Sequence, residues 1–269
     1  MDALQKRLAD VDPANEAAVR RGWGNYFGEN PDEALMRAGS SGAEVAEIYA
    51  DISDQEEGSG DDDEPLDDIQ PSTNDRKQLA QRMLELFVGR EDAHAVHRLH
   101  EGKVRVLPCA GSLTETKLCD HLAGKTTCAL YPLCNDGSVR LVVVDIDADQ
   151  KAPAADMARE RAGEFALAFA QVADVHGLTA AIEDSGGKGY HAWLFFAEAI
   201  PAETARKLAR LLVADTAAPR TDLRVEIFPR HSEWPGPDLG DCIKVPFGVH
   251  MGTGRRTLLL DEEGEPMQI

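Results

Sequence analysis

The sequence predicts an α+β fold whose core runs in the order β-α-β-β-α-β, the ferredoxin-like pattern. Three segments support this prediction. Residues 139–147, VRLVVVDID, are rich in β-branched side chains and predict a strand. Residues 154–173 are rich in alanine and place their larger apolar side chains on one helical face. Two strands, a helix and a last strand then follow between residues 179 and 229, which completes the pattern.

The individual elements after the first strand and helix are read from similar patterns. They are, in chain order, strands at 179–184 and 190–196, a helix from Pro201 to about Ala214, a strand at 223–229, a further strand at 242–250, and a hairpin or tail at 256–266. Helices cover one face of a ferredoxin-like sheet, so the other face is expected to stay open for a site.

The segment before the core is predicted to begin with a helix. Residues 77–92 have apolar side chains at helical spacing, and Gly89 is placed to end or kink the helix. His94, His97 and His100 follow. They are expected on a solvated helix or loop rather than around a metal ion, because no cysteine or carboxylate pattern accompanies them.

Acidic residues are concentrated at the start of the chain. The formal net charge is −20, and residues 1–75 hold 20 acids against 5 bases. Residues 51–69 contain ten acids and no base, which leaves too much repulsion and too little apolar surface for a packed core. We therefore expect a small helical appendage at 1–52, a disordered acidic linker at 53–74 and the main domain at 75–269.

Other sequence features restrict location and covalent chemistry. No apolar run approaches the roughly 18 residues needed to cross a bilayer, and the first residues lack the apolar core of a secretory signal. We expect a cytoplasmic protein. The five cysteines form no CxxC pair, so they are expected to be buried or free thiols rather than zinc ligands or disulfides.

Three acids are expected to meet on the sheet. Asp145 and Asp147 lie two apart on the first strand, so both point to one face. Glu226 lies on the predicted fourth strand, the neighbour of the first, and Asp222 is an alternative third acid. Clustered carboxylates repel unless a cation intervenes, and hard oxygen ligands suit Mg²⁺ or Mn²⁺. The pattern predicts a two-metal site for phosphoryl transfer.

The DxD pattern alone leaves other interpretations open. The two aspartates could be solvated or capping residues at a strand end. Sugar-nucleotide transferases also use DxD, and VVVDID resembles haloacid-type phosphatases. Those phosphatases, however, require threonine or valine at the position that Asp149 occupies here.

A glycine-rich segment, SGGKGYH at 185–191, predicts an oxyanion site. Its glycines, Gly189 among them, let backbone N–H groups approach a ligand, while Ser185, Lys188 and His191 add hydrogen bonds and charge. The alternative is a hairpin turn. Lys244, in an otherwise apolar strand, is expected to point at the same phosphates or to reach solvent from an edge strand.

These motifs together resemble the archaeo-eukaryotic primase superfamily, the primase-polymerases, over roughly residues 79–262. The resemblance rests on DxD, SGGKGYH, the acid before Phe228-Pro229, and KVPFGVH at 244–250. The segments LFVGREDAHA, LYPL and TGRRTLLLD are similar to stretches of the prokaryotic branch found with conflict systems and CRISPR loci.

The resemblance implies a ferredoxin- or RRM-like catalytic core with an additional N-terminal α/β module. It implies a DNA primase or polymerase that joins nucleoside triphosphates on a template with Mg²⁺ or Mn²⁺. The implied metal ligands are Asp145, Asp147 and Glu226. The implied nucleotide-binding residues are Ser185 and His191, with Lys188, Gly189 and Lys244 beside them.

The implied partners are a single-stranded DNA or RNA template, a primer and nucleoside triphosphates, with no membrane. A separate helicase or defence-system proteins could assist, since the sequence carries no helicase motif. Two other functions stay open: an inactive member that binds nucleic acid or nucleotide in a defence complex, and a DxD glycosyltransferase or phosphatase.

Overall fold

The computed structural model describes residues 73–149, 155–216, 222–233, 239–262 and 264–267. The predicted appendage at 1–52 and nearly all of the predicted acidic linker lie outside these residues. No helix in the part of the chain just defined is long and apolar enough to cross a lipid bilayer.

The described residues form four helices and nine strands. The helices are α1 Thr73–Leu86, α2 Glu115–Leu122, α3 Ala155–Val175 and α4 Ala202–Thr216. The strands are β1 Ala93–His100, β2 Lys103–Ala110, β3 Thr127–Leu130, β4 Ser138–Ala148, β5 Ala181–Asp184, β6 Gly189–Pro201, β7 Leu223–Phe228, β8 Ile243–Lys244 and β9 Leu258–Leu260.

The larger sheet and its two helices have the predicted ferredoxin-like topology. This antiparallel sheet has the order β7-β4-β6-β5-β9, so the first strand of the motif lies between the third and the fourth. The segment predicted as a hairpin or tail supplies β9, which pairs with β5 and extends the sheet by one strand. The prediction of an α+β fold with this core is confirmed.

A second antiparallel sheet forms the N-terminal α/β module. Its order is β2-β1-β3-β8. The further strand predicted at 242–250 is only two residues long here, and it belongs to this sheet rather than to the core, because Ala129 on β3 pairs with Lys244. The three histidines expected on a helix or loop lie on β1 instead, and His94 is buried with its ring Nδ1 2.7 Å from the Gly111 carbonyl oxygen.

Both faces of the core sheet are covered along most of its length. Val142 and Val144 pack on one face beneath α3 and α4, whereas Leu141 and Val143 pack on the other. On that second face, Phe87 after α1 makes edge-to-face ring contacts with two aromatic side chains of β6, Trp193 and Phe195. The expectation of a fully open second face is therefore wrong. A strand with apolar side chains on both faces must be buried on both, and only the end with the acids remains accessible.

Candidate active site

A row of titratable side chains crosses four strands of the core sheet. In the strand register, Glu226 on β7 lies opposite Asp145 on β4, which lies opposite His191 on β6, which lies opposite Glu183 on β5. Residues that face each other across antiparallel strands point to the same side of the sheet. Asp147 joins this side because it lies two residues after Asp145 on β4.

The register also distinguishes the two candidates for the third acid. Glu226 is the direct partner of Asp145 across the ladder. Asp222 precedes β7; its carboxylate pairs with Arg161, and its backbone carbonyl accepts the N–H of Asp149. The structure therefore brings Glu226, rather than Asp222, to the two aspartates.

Basic side chains surround the three acids. Lys188 Nζ lies 2.7 Å from Asp147 Oδ2. Arg224 and Arg230 donate hydrogen bonds to the two carboxylate oxygens of Glu226 at 2.8 and 3.2 Å. Sequence reasoning did not identify either arginine. Arg224 lies two residues before Glu226 on β7, so its side chain points to the same face of the sheet as that of Glu226.

Of the three acids, Asp145 has its negative charge least compensated by nearby positive charge. Burial raises the pKa of its carboxyl to about 6, and the negative charges of Asp147 and Glu226 act in the same direction. His191 Nε2 is 3.8 Å from Asp145 Oδ1, too far for a hydrogen bond. A carboxyl with a raised pKa among other carboxylates is short of positive charge at neutral pH.

The chemistry of this donor set fits a divalent cation. Three carboxylates share one face of adjacent strands, and they offer the hard oxygen ligands that Mg²⁺ and Mn²⁺ prefer. As the side chains stand, however, no group of three or more acidic, histidine or cysteine side chains among the described residues is arranged to hold a metal ion. Lys188 and the two arginines hold Asp147 and Glu226 instead.

Asp145→Asn is expected to stabilise the metal-free protein at pH 8 by up to about 3 kcal/mol. The folded pKa is raised from 3.8 to about 6, so the folded state binds a proton more tightly than the unfolded state. The contribution of Asp145 to stability is therefore fully present below pH 4 and is lost as the pH rises through 6. Urea unfolding in EDTA at pH 4 and pH 8 measures the gain, which should appear only at pH 8. Asp174→Asn removes a carboxylate from an exposed position and is the matched control. An equal gain at pH 8 from the two substitutions would contradict the raised pKa of Asp145.

The glycine-rich segment forms a tight loop between β5 and β6. Ser185 Oγ donates to the Gly189 carbonyl at 2.7 Å and accepts the Gly187 N–H at 3.3 Å. Gly186 has a φ of +71°, which favours glycine. A side chain at Gly189 would collide with the Ile146 carbonyl oxygen on β4. The glycines therefore permit a turn and a close strand approach, directly beside Asp147.

Asp184 anchors this loop to the rest of the domain. Its carboxylate accepts the Gly186 N–H at 2.9 Å and pairs with Arg159 at 2.7 Å and Arg255 at 2.9 Å. Thr253 Oγ1 also donates to the Gly186 carbonyl at 2.6 Å. The N–H groups of Gly186 and Gly187, expected to face a ligand, are thus engaged inside the loop. Sequence reasoning missed these anchors because they come from distant segments.

A buried charge cluster lies next to the acids. Glu183 is fully buried, and its carboxylate accepts hydrogen bonds from His191 Nδ1 at 2.8 Å, Trp193 Nε1 at 2.9 Å and Lys244 Nζ at 2.7 Å. Burial alone would raise the pKa of Glu183, but Lys244 and His191 outweigh it and lower the pKa to about 2. Because a carboxylate only accepts, Nδ1 of His191 carries the proton and Nε2 is left facing Asp145.

The cluster changes the interpretation of Lys244. Within the fold, the carboxylate of Glu183 rather than solvent compensates the charge of Lys244. The Lys244 side chain is only 6 % exposed. A direct contact of Lys244 with phosphate stays a prediction. Glu183 itself was missed, although a buried lysine on an apolar strand signals a buried acid elsewhere in the chain.

Comparisons with known proteins address the family. No curated protein sequence matches the chain. The polymerase domain of ligase D from Mycobacterium tuberculosis, solved in complex with DNA, is similar at 15% identity, with 68% of this chain and 77% of that chain covered and a TM-score of 0.37. A sequence model of the archaeo-eukaryotic primase domain of the TOTE conflict system matches residues 108–268, more than half of the chain. The chain therefore belongs to the archaeo-eukaryotic primase domain family of TOTE conflict systems.

Proposed function

We propose that this protein is a template-dependent nucleotidyltransferase, a DNA primase or polymerase that joins nucleoside triphosphates and releases pyrophosphate. The observation that carries the proposal is the row of Glu226, Asp145 and His191 across adjacent strands, with Lys188 beside it. It combines an acid cluster with two groups able to contact phosphate. Family membership supports the same reaction class.

Asp145, Asp147 and Glu226 would hold Mg²⁺ or Mn²⁺, which when bound supplies positive charge against the attacking 3′ oxygen and the leaving phosphate. Lys188 and the arginines now neutralise two of these acids, so they would exchange that role for contacts with the bound substrates. Such exchange is chemically reasonable for Lys188, whose side chain is 45 % exposed on a flexible stem.

The remaining site residues would position the nucleotide. Lys188 supplies a point charge for the triphosphate, while His191 presents Nε2 from a ring that Glu183 holds in place. Ser185 and Gly189 maintain the loop geometry through their mutual hydrogen bond. Phosphoryl transfer depends mainly on such positioning and on charge stabilisation.

The partners in this proposal are a single-stranded template, a primer and nucleoside triphosphates. A separate helicase or other defence-system proteins would supply duplex unwinding. Extension of a labelled primer on a single-stranded template, with deoxynucleotides or ribonucleotides and Mg²⁺ or Mn²⁺, tests the proposal. Template binding without any extension would favour the catalytically inactive alternative.

His191→Ala is expected to raise the KM for nucleotide by roughly 10- to 150-fold, the loss of one charge-assisted contact worth about 1.5–3 kcal/mol. Template affinity should change little, because the proposed partner of His191 is the triphosphate. Separate titrations of nucleotide and template measure the two effects. His176→Ala is the matched control, since His176 also lies near a carboxylate, Asp215, but directly after α3, on the helical side of the sheet. Equal losses for nucleotide and template would reject this role.

A further inference from the structure

The hairpin of β1 and β2 concentrates exposed apolar side chains. Among the described residues, six large hydrophobic side chains are exposed, and four of them belong to this hairpin: Leu99, Val104, Val106 and Leu107. β2 is an edge strand of the N-terminal sheet and is exposed over nearly its whole length. Clustered exposed apolar side chains commonly mark a binding surface.

The hairpin also carries exposed cationic side chains. Arg98, Lys103 and Arg105 are exposed and form no ion pair with any other residue of the described ranges. Around the candidate active site, by contrast, Lys188 and Lys244 are both paired. Cations with no ion pair among the described residues offer a surface to a negatively charged ligand.

The strand register places two of these cations together. Arg98 on β1 lies directly opposite Arg105 on β2, and His100 lies opposite Lys103. Like charges at directly opposite positions destabilise a strand pair, so an anion that binds between them relieves a repulsion already present in the fold. This arrangement favours a ligand with regularly spaced negative charges over a neutral or apolar one.

The opposite side of the hairpin faces the candidate active site. His97 and Val106 are register partners, as are Leu99 and Val104, so these four side chains share one face. A Cβ built at Gly252 would lie 3.3 Å from Val104 Cγ2 and 3.2 Å from a ring atom of His250. His250 in turn lies against the glycine-rich loop at Gly186 and Gly187.

His97 supports the same placement. Burial lowers its pKa to about 4, and the positive charges of Lys244 and His250 contribute. The apolar face of the hairpin therefore adjoins the loop of Ser185–Gly189, whereas its cationic face points away from that loop.

We propose that the β1–β2 hairpin binds the single-stranded nucleic-acid template beside the active site, with phosphates on Arg98, Lys103 and Arg105 and bases against Leu99, Val104 and Val106. This inference rests on the proposed function. A single strand presents a phosphate backbone and apolar base faces along one chain, and the hairpin presents complementary surfaces on its two sides. Pairing of the β2 edge with a protein strand is less favoured, because charged side chains on an edge strand oppose such pairing.

The phosphate contacts are tested with the full chain and a fluorescently labelled oligo-dT across a series of salt concentrations. Arg98→Gln and Arg105→Gln are each expected to weaken binding and to reduce the slope of log affinity against log salt by about 0.7. Arg210→Gln removes the same charge from the exposed surface of α4, on the opposite side of the core sheet, and should leave affinity and slope unchanged. Unchanged slopes for Arg98→Gln and Arg105→Gln would overturn the proposal.

The apolar contacts are tested with Val104→Thr and Val106→Thr, which keep side-chain volume and strand propensity. They are expected to weaken oligo-dT binding without changing the salt slope. Light scattering on the same samples tests the alternative in which this surface binds a protein chain. If the wild type is a dimer, and the valine variants dissociate it while oligo-dT binding stays intact, the proposal is overturned.

The outcome for the hairpin is separable from that for catalysis. If the wild-type protein binds oligo-dT through the hairpin but extends no primer, the hairpin proposal is supported and the proposed function is rejected. If the protein extends primers normally but its oligo-dT binding does not depend on the hairpin, the proposed function is supported and the hairpin proposal is rejected.

Discussion

Alanine at Asp145 or at Asp147 is expected to reduce nucleotide incorporation by about 1,000-fold or more. The two carboxylates share one face of β4, and with Glu226 they supply the negative charge that would hold a divalent cation. Cation stabilisation of the reacting oxygens is worth several kcal/mol, and each 1.36 kcal/mol is a factor of ten in rate. Single-turnover incorporation at saturating nucleotide and template measures the effect.

The matched control is Glu198→Ala. Glu198 is an exposed acid on β6, toward the end of the same sheet that lies away from Asp145. It should retain wild-type rates, and all three variants should show the far-ultraviolet circular dichroism of the wild type. Near-normal incorporation by a folded Asp145→Ala or Asp147→Ala protein would remove the acid cluster from the mechanism.

Glu183→Gln and Lys244→Met are each expected to destabilise the fold by about 3–5 kcal/mol, because each leaves a buried charge without its partner. Glu183 Oε1 and Lys244 Nζ are 2.7 Å apart, and both side chains are almost fully buried between the two sheets. The double variant Glu183→Gln/Lys244→Met removes both charges and should recover much of the loss. Urea unfolding of the four proteins gives the coupling energy directly.

The same double variant separates two roles of Lys244. If Lys244 acts only as the partner of Glu183, nucleotide KM in the double variant should resemble that of Glu183→Gln alone. A further rise in KM from removal of the lysine would support its direct contact with phosphate. In the unfolding experiment, a destabilisation of the double variant equal to the sum of the two single effects would contradict the buried ion pair.

The sequence was most informative where backbone periodicity determines geometry. Alternation along β4 places Asp145 and Asp147 on one face, and the ferredoxin-like strand order places Glu226 on the adjacent strand. The choice between Glu226 and Asp222 needed the pairing register of β7 against β4, in which Glu226 lies opposite Asp145. Sequence periodicity cannot supply that register.

Contacts between distant segments were not predictable from local pattern. Lys244 was expected to point at phosphates or to reach solvent. Its ion-pair partner, Glu183, lies 61 residues earlier on a strand of the other sheet, which no local pattern reveals. The strand placement of His94, His97 and His100 was missed for a similar reason. Pairing with β2 and β3 decides the conformation of that segment, and strand propensity depends strongly on such context.

The most direct test of the account is templated single-nucleotide incorporation by the protein. A labelled primer is annealed to four templates that differ only at the first unpaired base, and each nucleotide is supplied alone with Mg²⁺ or Mn²⁺. The account predicts one added nucleotide, the complement of each template base, in wild-type protein and none in Asp145→Ala/Asp147→Ala. Addition that ignores the template base, or equal addition by the double variant, would contradict it.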